Sequence, residues 1–353
     1  MMRITTGALF VGLSLIGGTT ILRPAHAETK ACPAKTYDSL RKPASEGTKA
    51  VPIVCDVTLS KADVITVPIV FSRSVSSGVV FDCGGATLDG TVAKARTVLV
   101  RSVQKDDGSW DVPRDILIRN CTIKGDVRIQ GLGSNGQGPE VKRSSFKPGH
   151  TQRAQAAAPA NITFDNVTFV ASGGIPLYAA PGVTGMVVRN SRFIGRSDGT
   201  AIYLDAESAR NAILGNTFNT RTSMREQIAV DGSAENRIEG NKFDNPVNGG
   251  VFLYRNCGEG GTIRQQKPQG NVIVGNTFQY SRSSDAKPAV WLGSRRGISM
   301  FNSYCLTNMN TILDSLDHRD GAQGNTVIGN LLPGGSPRLI VDDDRRNKVS
   351  DNR

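Results

Sequence analysis

The chain has 353 residues, 39 of them glycine, with 38% hydrophobic and only 6% aromatic residues. That balance argues against one large globular core and for many turns around a narrow one. A formal charge of +11 points to a polyanionic partner or to solubility maintained by charge; no basic–aromatic nucleic-acid motif accompanies it, so nucleic acid is not the expected partner.

Arg3, the apolar run from Ile4 to Leu22 and Ala25-His26-Ala27 read as a secretory signal over residues 1–27, cleaved near Ala27. Gly and Thr interrupt the run, and no later stretch is long and apolar enough to span a bilayer, so stable membrane insertion is not expected. Without Arg3 and Arg23 the mature chain carries about +9 by the same count (11 − 2). A secreted or periplasmic location follows, and six cysteines beyond the signal fit that oxidising compartment. No Cys-x-x-Cys or Cys/His cluster suggests a metal site. Cys83 and Cys121 fall at nearly the same point of successive repeats and are the favoured pair. Cys32 with Cys55 would then staple the N-terminus, leaving Cys257 with Cys305.

Residues 28–65 mix Pro, Lys and Ser without any repeat and read as an N-terminal cap, with coils over 66–353. The pattern stops at about 131–159, a Gly/Ser/Gln/Ala-rich insertion holding Lys142, Arg143, Lys147, His150 and Arg153: a flexible spacer or a basic lid. Shorter insertions follow at Gly258 to Gln269 and around Ser281 to Lys287. His150 and His318 remain after cleavage, and either could serve as a base.

The repeat is clearest in Asn211-Ala-Ile-Leu-Gly-Asn216-Thr-Phe218, which returns as Asn236-Arg-Ile-Glu-Gly-Asn241-Lys-Phe243 and Asn271-Val-Ile-Val-Gly-Asn276-Thr-Phe278. Looser copies end at Asn166, Asn330 and Asn352, and related phrases add Asn120, Asn190 and Asn302, at a spacing in the mid-twenties. Ile213, Ile238 and Ile273 take the buried phase of a short strand, Gly-Asn makes a sharp corner, and Asn side chains can bond from coil to coil. The apolar residues lack helical spacing. The reading is an all-β parallel β-helix, a single-stranded solenoid with a cap and inserted loops.

A second strand lies some twelve residues past each Asn. Aligned by apolar positions, the strands begin Val127, Ile175, Ile202, Ile228, Val251 and Val290. Two outward columns follow: Arg128, Pro176, Tyr203, Ala229, Phe252, Trp291, and Gln130, Tyr178, Asp205, Asp231, Tyr254, Gly293, with Glu207 and Arg255 at strand ends. Tyr203, Phe252 and Trp291 offer faces for sugar stacking, with Arg128, Gln130 and Glu207 beside them. Asp205 and Asp231, one coil or about 4.8 Å apart, could share a proton, hold Ca²⁺ or act as acid and base. Tyr254 or Tyr178 would transfer a proton and Arg255 would neutralise a uronate carboxylate.

The Asn phrases, coil period and signal together resemble the pectate lyase-like superfamily, and more narrowly its right-handed β-helix repeat members. That resemblance covers about residues 66–353. It implies a right-handed β-helix acting on an acidic, uronate-containing polysaccharide by β-elimination or C5-epimerisation. The chain departs from the family's catalytic motifs: it has no Asp-Pro-His, no Trp-Ile-Asp-His and no polygalacturonase set. A non-catalytic glycan-binding or surface scaffold, or a hydrolase using the paired Asp residues, therefore stands as the alternative.

Overall fold

The computed structural model describes residues 30–281, 286–295 and 319–353. Its coils form three parallel sheets of ten, ten and nine strands, each strand pairing with its counterpart one coil away. The expected parallel β-helix is therefore observed, and its register fixes which side chains become neighbours. Helix α1 (Ala34–Leu40) covers the N-terminal end. Strands at Val51–Pro52, Val57–Thr58 and Val64–Ile65 already join the three sheets, within the stretch assigned to the cap.

The corner Asn residues explain why the coils stack. Asn241 Oδ1 accepts from the backbone N and Nδ2 of Asn216, while its own Nδ2 donates to Ile213 O and Asn276 Oδ1. Asn276, Asn330 and Asn352 continue this ladder; Asn211, Asn236, Asn271, Asn325 and Asn347 form a second. Both lie mostly in the interior, where every unpaired amide would carry a desolvation cost. The N-terminal half differs by one residue. Asp165, Arg189 and Leu214 are in register, so Asn166 and Asn190 match Gly215, and Ser191 stands where Asn216 stands one coil later. Asn120, Asn166 and Asn190 have φ of 55°, 54° and 52°, the left-handed corner that Gly215 supplies at 61°. Asn302 lies outside the described residues.

Inside the coils Phe169, Phe193, Phe218, Phe243 and Phe278 stack with centroids 4.5 to 4.7 Å apart. Disulfides join Cys32 to Cys55 and Cys83 to Cys121, as expected. Cys257 is also disulfide-bonded; its expected partner Cys305 lies outside the described residues, as does the segment read as a signal. No helix among the described residues is long and apolar enough to cross a membrane. The insertion at 131–159 is neither coil nor spacer: it folds into α2 (Pro139–Ser145) and α3 (His150–Ala157).

Replacing Asn241 with Ala strands the buried Asn216 N–H, at about 1–3 kcal/mol, and removes the Nδ2 bonds to Ile213 O and Asn276 Oδ1. Asn241→Ala should lower the unfolding free energy by at least about 2 kcal/mol in urea titration. An unchanged midpoint would remove the ladder from the account of stability.

Candidate functional site

The site lies on the outer face of the sheet that holds Val127–Gln130, Leu177–Ala179, Ile202–Leu204, Ile228–Asp231 and Val251–Tyr254. Its register corrects one expectation: Arg128 pairs with Tyr178, and Tyr178 with Tyr203. The strand therefore begins at Leu177 and not at Ile175, and Tyr178 moves to the column of Arg128, Tyr203, Ala229, Phe252 and Trp291. Apolar pattern alone could not distinguish Ile175 from Leu177 as the partner of Val127. Tyr178 nonetheless reaches diagonally, its hydroxyl donating to Asp205 Oδ2 at 2.5 Å.

The outward columns are largely covered, contrary to the expectation of an open aromatic face. Tyr203, Phe252 and Tyr254 are only 9%, 7% and 1% exposed, and Asp205, Asp231, Glu207 and Arg255 are buried. The cover comes from the insertions, whose own polar groups satisfy the face beneath. Arg264, from the second insertion, places Nη1 2.6 Å from Asp205 Oδ1 and 2.8 Å from Asp231 Oδ2. Its Nε donates to Asn256 O and its Nη2 meets Glu259. Gly136 N donates to Asp205 Oδ2 at 2.7 Å, and a Cβ at that glycine would lie 2.7 Å from the Arg264 guanidinium. Tyr203 donates to Asp231, which also accepts from the Asn256 backbone N and Nδ2.

This arrangement corrects the roles expected for the two Asp residues. The position between them belongs to a guanidinium, so they do not fit a Ca²⁺ site, and there is no room for the water that an inverting hydrolase holds between its carboxyls. Burial raises Asp231 above the ordinary carboxyl value, and the Arg264 charge works against that rise. Burial and the neighbouring Asp charges push the Tyr178 and Tyr203 hydroxyls well above 10.

Tyr254 is held away from solvent in a second cluster. Its hydroxyl accepts from Arg225 Nη2 at 2.6 Å and donates to Glu226 at 3.0 Å, and Arg295 lies over its ring. Arg255 turns its guanidinium to the carbonyls of Arg264 and Arg319 and so braces loops. Phe252 packs edge-on against Trp291, whose Nε1 donates to Asp343. Gln130 ends its strand opposite Arg101.

Glu207 is buried and bonded to protein groups. It accepts from Thr151, from Gln265 N at 2.7 Å and from Gln266 N, fastening α3 and the second insertion to one coil. His150 Nε2 lies 3.8 Å from it, and His150 Nδ1 contacts Ser144. Burial lifts Glu207 to about 7, and burial with the Arg153 charge lowers His150 to about 4. Both shifts favour the neutral forms of these two buried groups. His150 is thereby excluded as an exposed base; His318 lies outside the described residues.

What remains open is a pocket of about 390 Å³ lined by Arg96, Arg128, Arg225 and Arg264, by Tyr178 and Tyr203, and by Ser134–Gln137 and Glu259. Arg128 bonds Ile175 O and Asp126 and lies 4.9 Å above the Tyr178 ring. Of the expected residues, Arg128, Tyr178 and Tyr203 line this pocket, with Asp205 and Asp231 directly behind them. Arg96, Arg225 and Arg264 were missed. One signal could have found Arg264: two carboxylates stacked on adjacent coils need a cation, and the insertion beside them contains one.

Arg264→Met should lose about 3–5 kcal/mol at neutral pH, because it leaves buried carboxylates uncompensated. A carboxyl with a raised folded-state value favours folding at low pH and loses that contribution as pH rises, so the deficit should shrink on acidification. A pH-independent deficit would contradict the charge argument. By the same sign rule, Glu207 contributes stability below its unfolded value that disappears as pH rises through about 7. Denaturant curves for Glu207→Gln, the neutral isostere, should therefore approach wild type as pH falls and separate from it as pH rises through about 7; curves offset equally at all pH would contradict the raised value.

Residues 85–283, more than half of the chain, match the family described as "Right handed beta helix region". No curated protein matches the sequence. Among solved structures, the surface protein and adhesin PfbA of Streptococcus pneumoniae is 15% identical, with TM-score 0.47, covering 84% of this chain and 75% of its own. A second PfbA structure is 16% identical, with TM-score 0.47 and coverage of 84% and 69%. A variant of the periplasmic alginate epimerase AlgG is 11% identical, with TM-score 0.22 and coverage of 80% and 65%. With three stacked parallel sheets and a match across most of its coils, the chain belongs to the right-handed β-helix family.

Proposed function

We propose that this is an exported carbohydrate-active β-helix protein whose arginine-lined pocket takes a uronate of an acidic polysaccharide. The observation that carries the reading is the convergence of Arg96, Arg128, Arg225 and Arg264 on two tyrosines in one pocket. Cations of this kind suit a carboxylate, and a tyrosine ring suits a sugar face. Disulfides at Cys32–Cys55 and Cys83–Cys121 support an oxidising compartment.

The chemistry best supported is proton transfer beside that carboxylate. Arg128 and Arg225 would neutralise the uronate and so stabilise charge developing at C5. Tyr178 would take the C5 proton as its own hydroxyl proton passes to Asp205, to which it is already hydrogen-bonded. In β-elimination the C4–O bond then breaks, C4=C5 forms, and the Tyr178 proton goes to the leaving oxygen as Asp205 returns the other. In epimerisation the C4–O bond stays, a solvent water delivers a proton to the opposite face of C5, and the hydroxide so formed takes the Tyr178 proton as Asp205 returns the other.

A purely binding role is the second reading, and one observation favours it. Asp205 accepts from Gly136, Tyr178, Ala206 and Arg264, and protonating it would weaken its buried ion pair. Incubation with uronate polymers separates the two. Catalysis predicts new unsaturated ends or a changed epimer ratio, lost by about 10²-fold or more in Tyr178→Phe with affinity retained. A wild-type protein that binds without either product supports the second reading, and one that does not bind uronate polymers overturns both.

A further inference from the structure

Resting on that reading, we propose that the pocket receives the end of an acidic polysaccharide chain and not a stretch from its middle. Among the described residues, the column that floors the pocket is open on one side only. Towards the N-terminus it continues through Leu99 and Val70, in register with Arg128 and half-buried, past the exposed Arg96. Towards the C-terminus it closes: Ala229 and Asp231 are fully buried, and Phe252 and Tyr254 nearly so.

Charged groups fixed to the fold make the closed end. Arg225 stands there, held by both oxygens of Glu226 and by the Tyr254 hydroxyl. Arg264 and Glu259 are joined beside it, with Arg264 anchored in the Asp pair. The turn at Pro246–Gly249 lies against Phe252, whose ring would be 2.3 Å from a Cβ on Gly249. Residues 134–137 form the flank, pinned by Gly136 to Asp205. A polymer lying along the sheet would have to displace a buried ion pair to continue past Tyr203. A chain terminus meets no such obstacle, and its carboxylate arrives among Arg128, Arg225 and Arg264. At about 390 Å³ the pocket is near the lower limit of about 300–1,000 Å³ for small-ligand sites, room for about two sugar rings.

Stoichiometry reads this directly. The full-length protein is titrated calorimetrically with two size-fractionated pools of the same oligo-uronate, one short and one many times longer. An end-binding pocket predicts one protein per chain for both pools, with affinity per chain changing less than about threefold, since the contacts are the same. Several proteins on each long chain, or binding of the long pool alone, would overturn end recognition and leave acidic-glycan binding standing. Heat from neither pool would overturn end recognition and the proposed function together.

Discussion

The contact on which the site depends is the guanidinium of Arg264 between Asp205 and Asp231. Two carboxylates on adjacent coils of a parallel sheet are forced close together by the strand spacing, and burial alone would make that arrangement strongly unfavourable. Arg264 reverses the sign. It also brings the insertion that carries it down onto the sheet, and its other contacts hold Asn256 and Glu259 in place. The same ion pair thus neutralises the floor, covers the C-terminal half of the face and shapes the pocket wall.

The rest of the cover is fastened at Glu207. Its carboxyl receives Thr151 from α3 and the backbone of Gln265 and Gln266, so both insertions meet at one side chain. Ser145 adds a second tie, its hydroxyl accepting from Ile263 N. Burial drives both Glu207 and His150 towards their neutral forms, which suits a fully buried junction. The basic 131–159 segment therefore acts as a fixed wall, held by buried bonds.

Much of the fold was legible in the sequence because a solenoid writes its geometry as a period. Asn216, Asn241 and Asn276 announce both the corner and the ladder, and Phe218, Phe243 and Phe278 announce the stack behind it. Legibility failed where side chains compete for the same pattern. Asn190 was read as a ladder residue, but it takes the corner conformation that Gly215 takes one coil later. Ile175 was aligned with Val127, when Leu177 is its partner. Of the site, Arg128, Tyr178, Tyr203 and both Asp residues could be found by aligning strands. Arg225 and Arg264 could not, because they lie outside the strands and reach the face only through tertiary folding. The insertions also turned expected contact residues such as Glu207, Arg255 and Phe252 into packed or bonded interior.

The pocket is what the coils and insertions leave uncovered: arginines fixed in place by neighbouring carboxylates, beside tyrosines whose hydroxyls are oriented by buried ones. The most direct measurement is a crystal structure of the protein soaked with a short oligo-uronate. The account predicts a sugar carboxylate between Arg128 and Arg225, with its ring beside Tyr178 and the chain leaving past Arg96. Sugar density elsewhere, for instance against Trp110 in the cleft beside α2 and α3, with this pocket empty at saturating ligand, would contradict it.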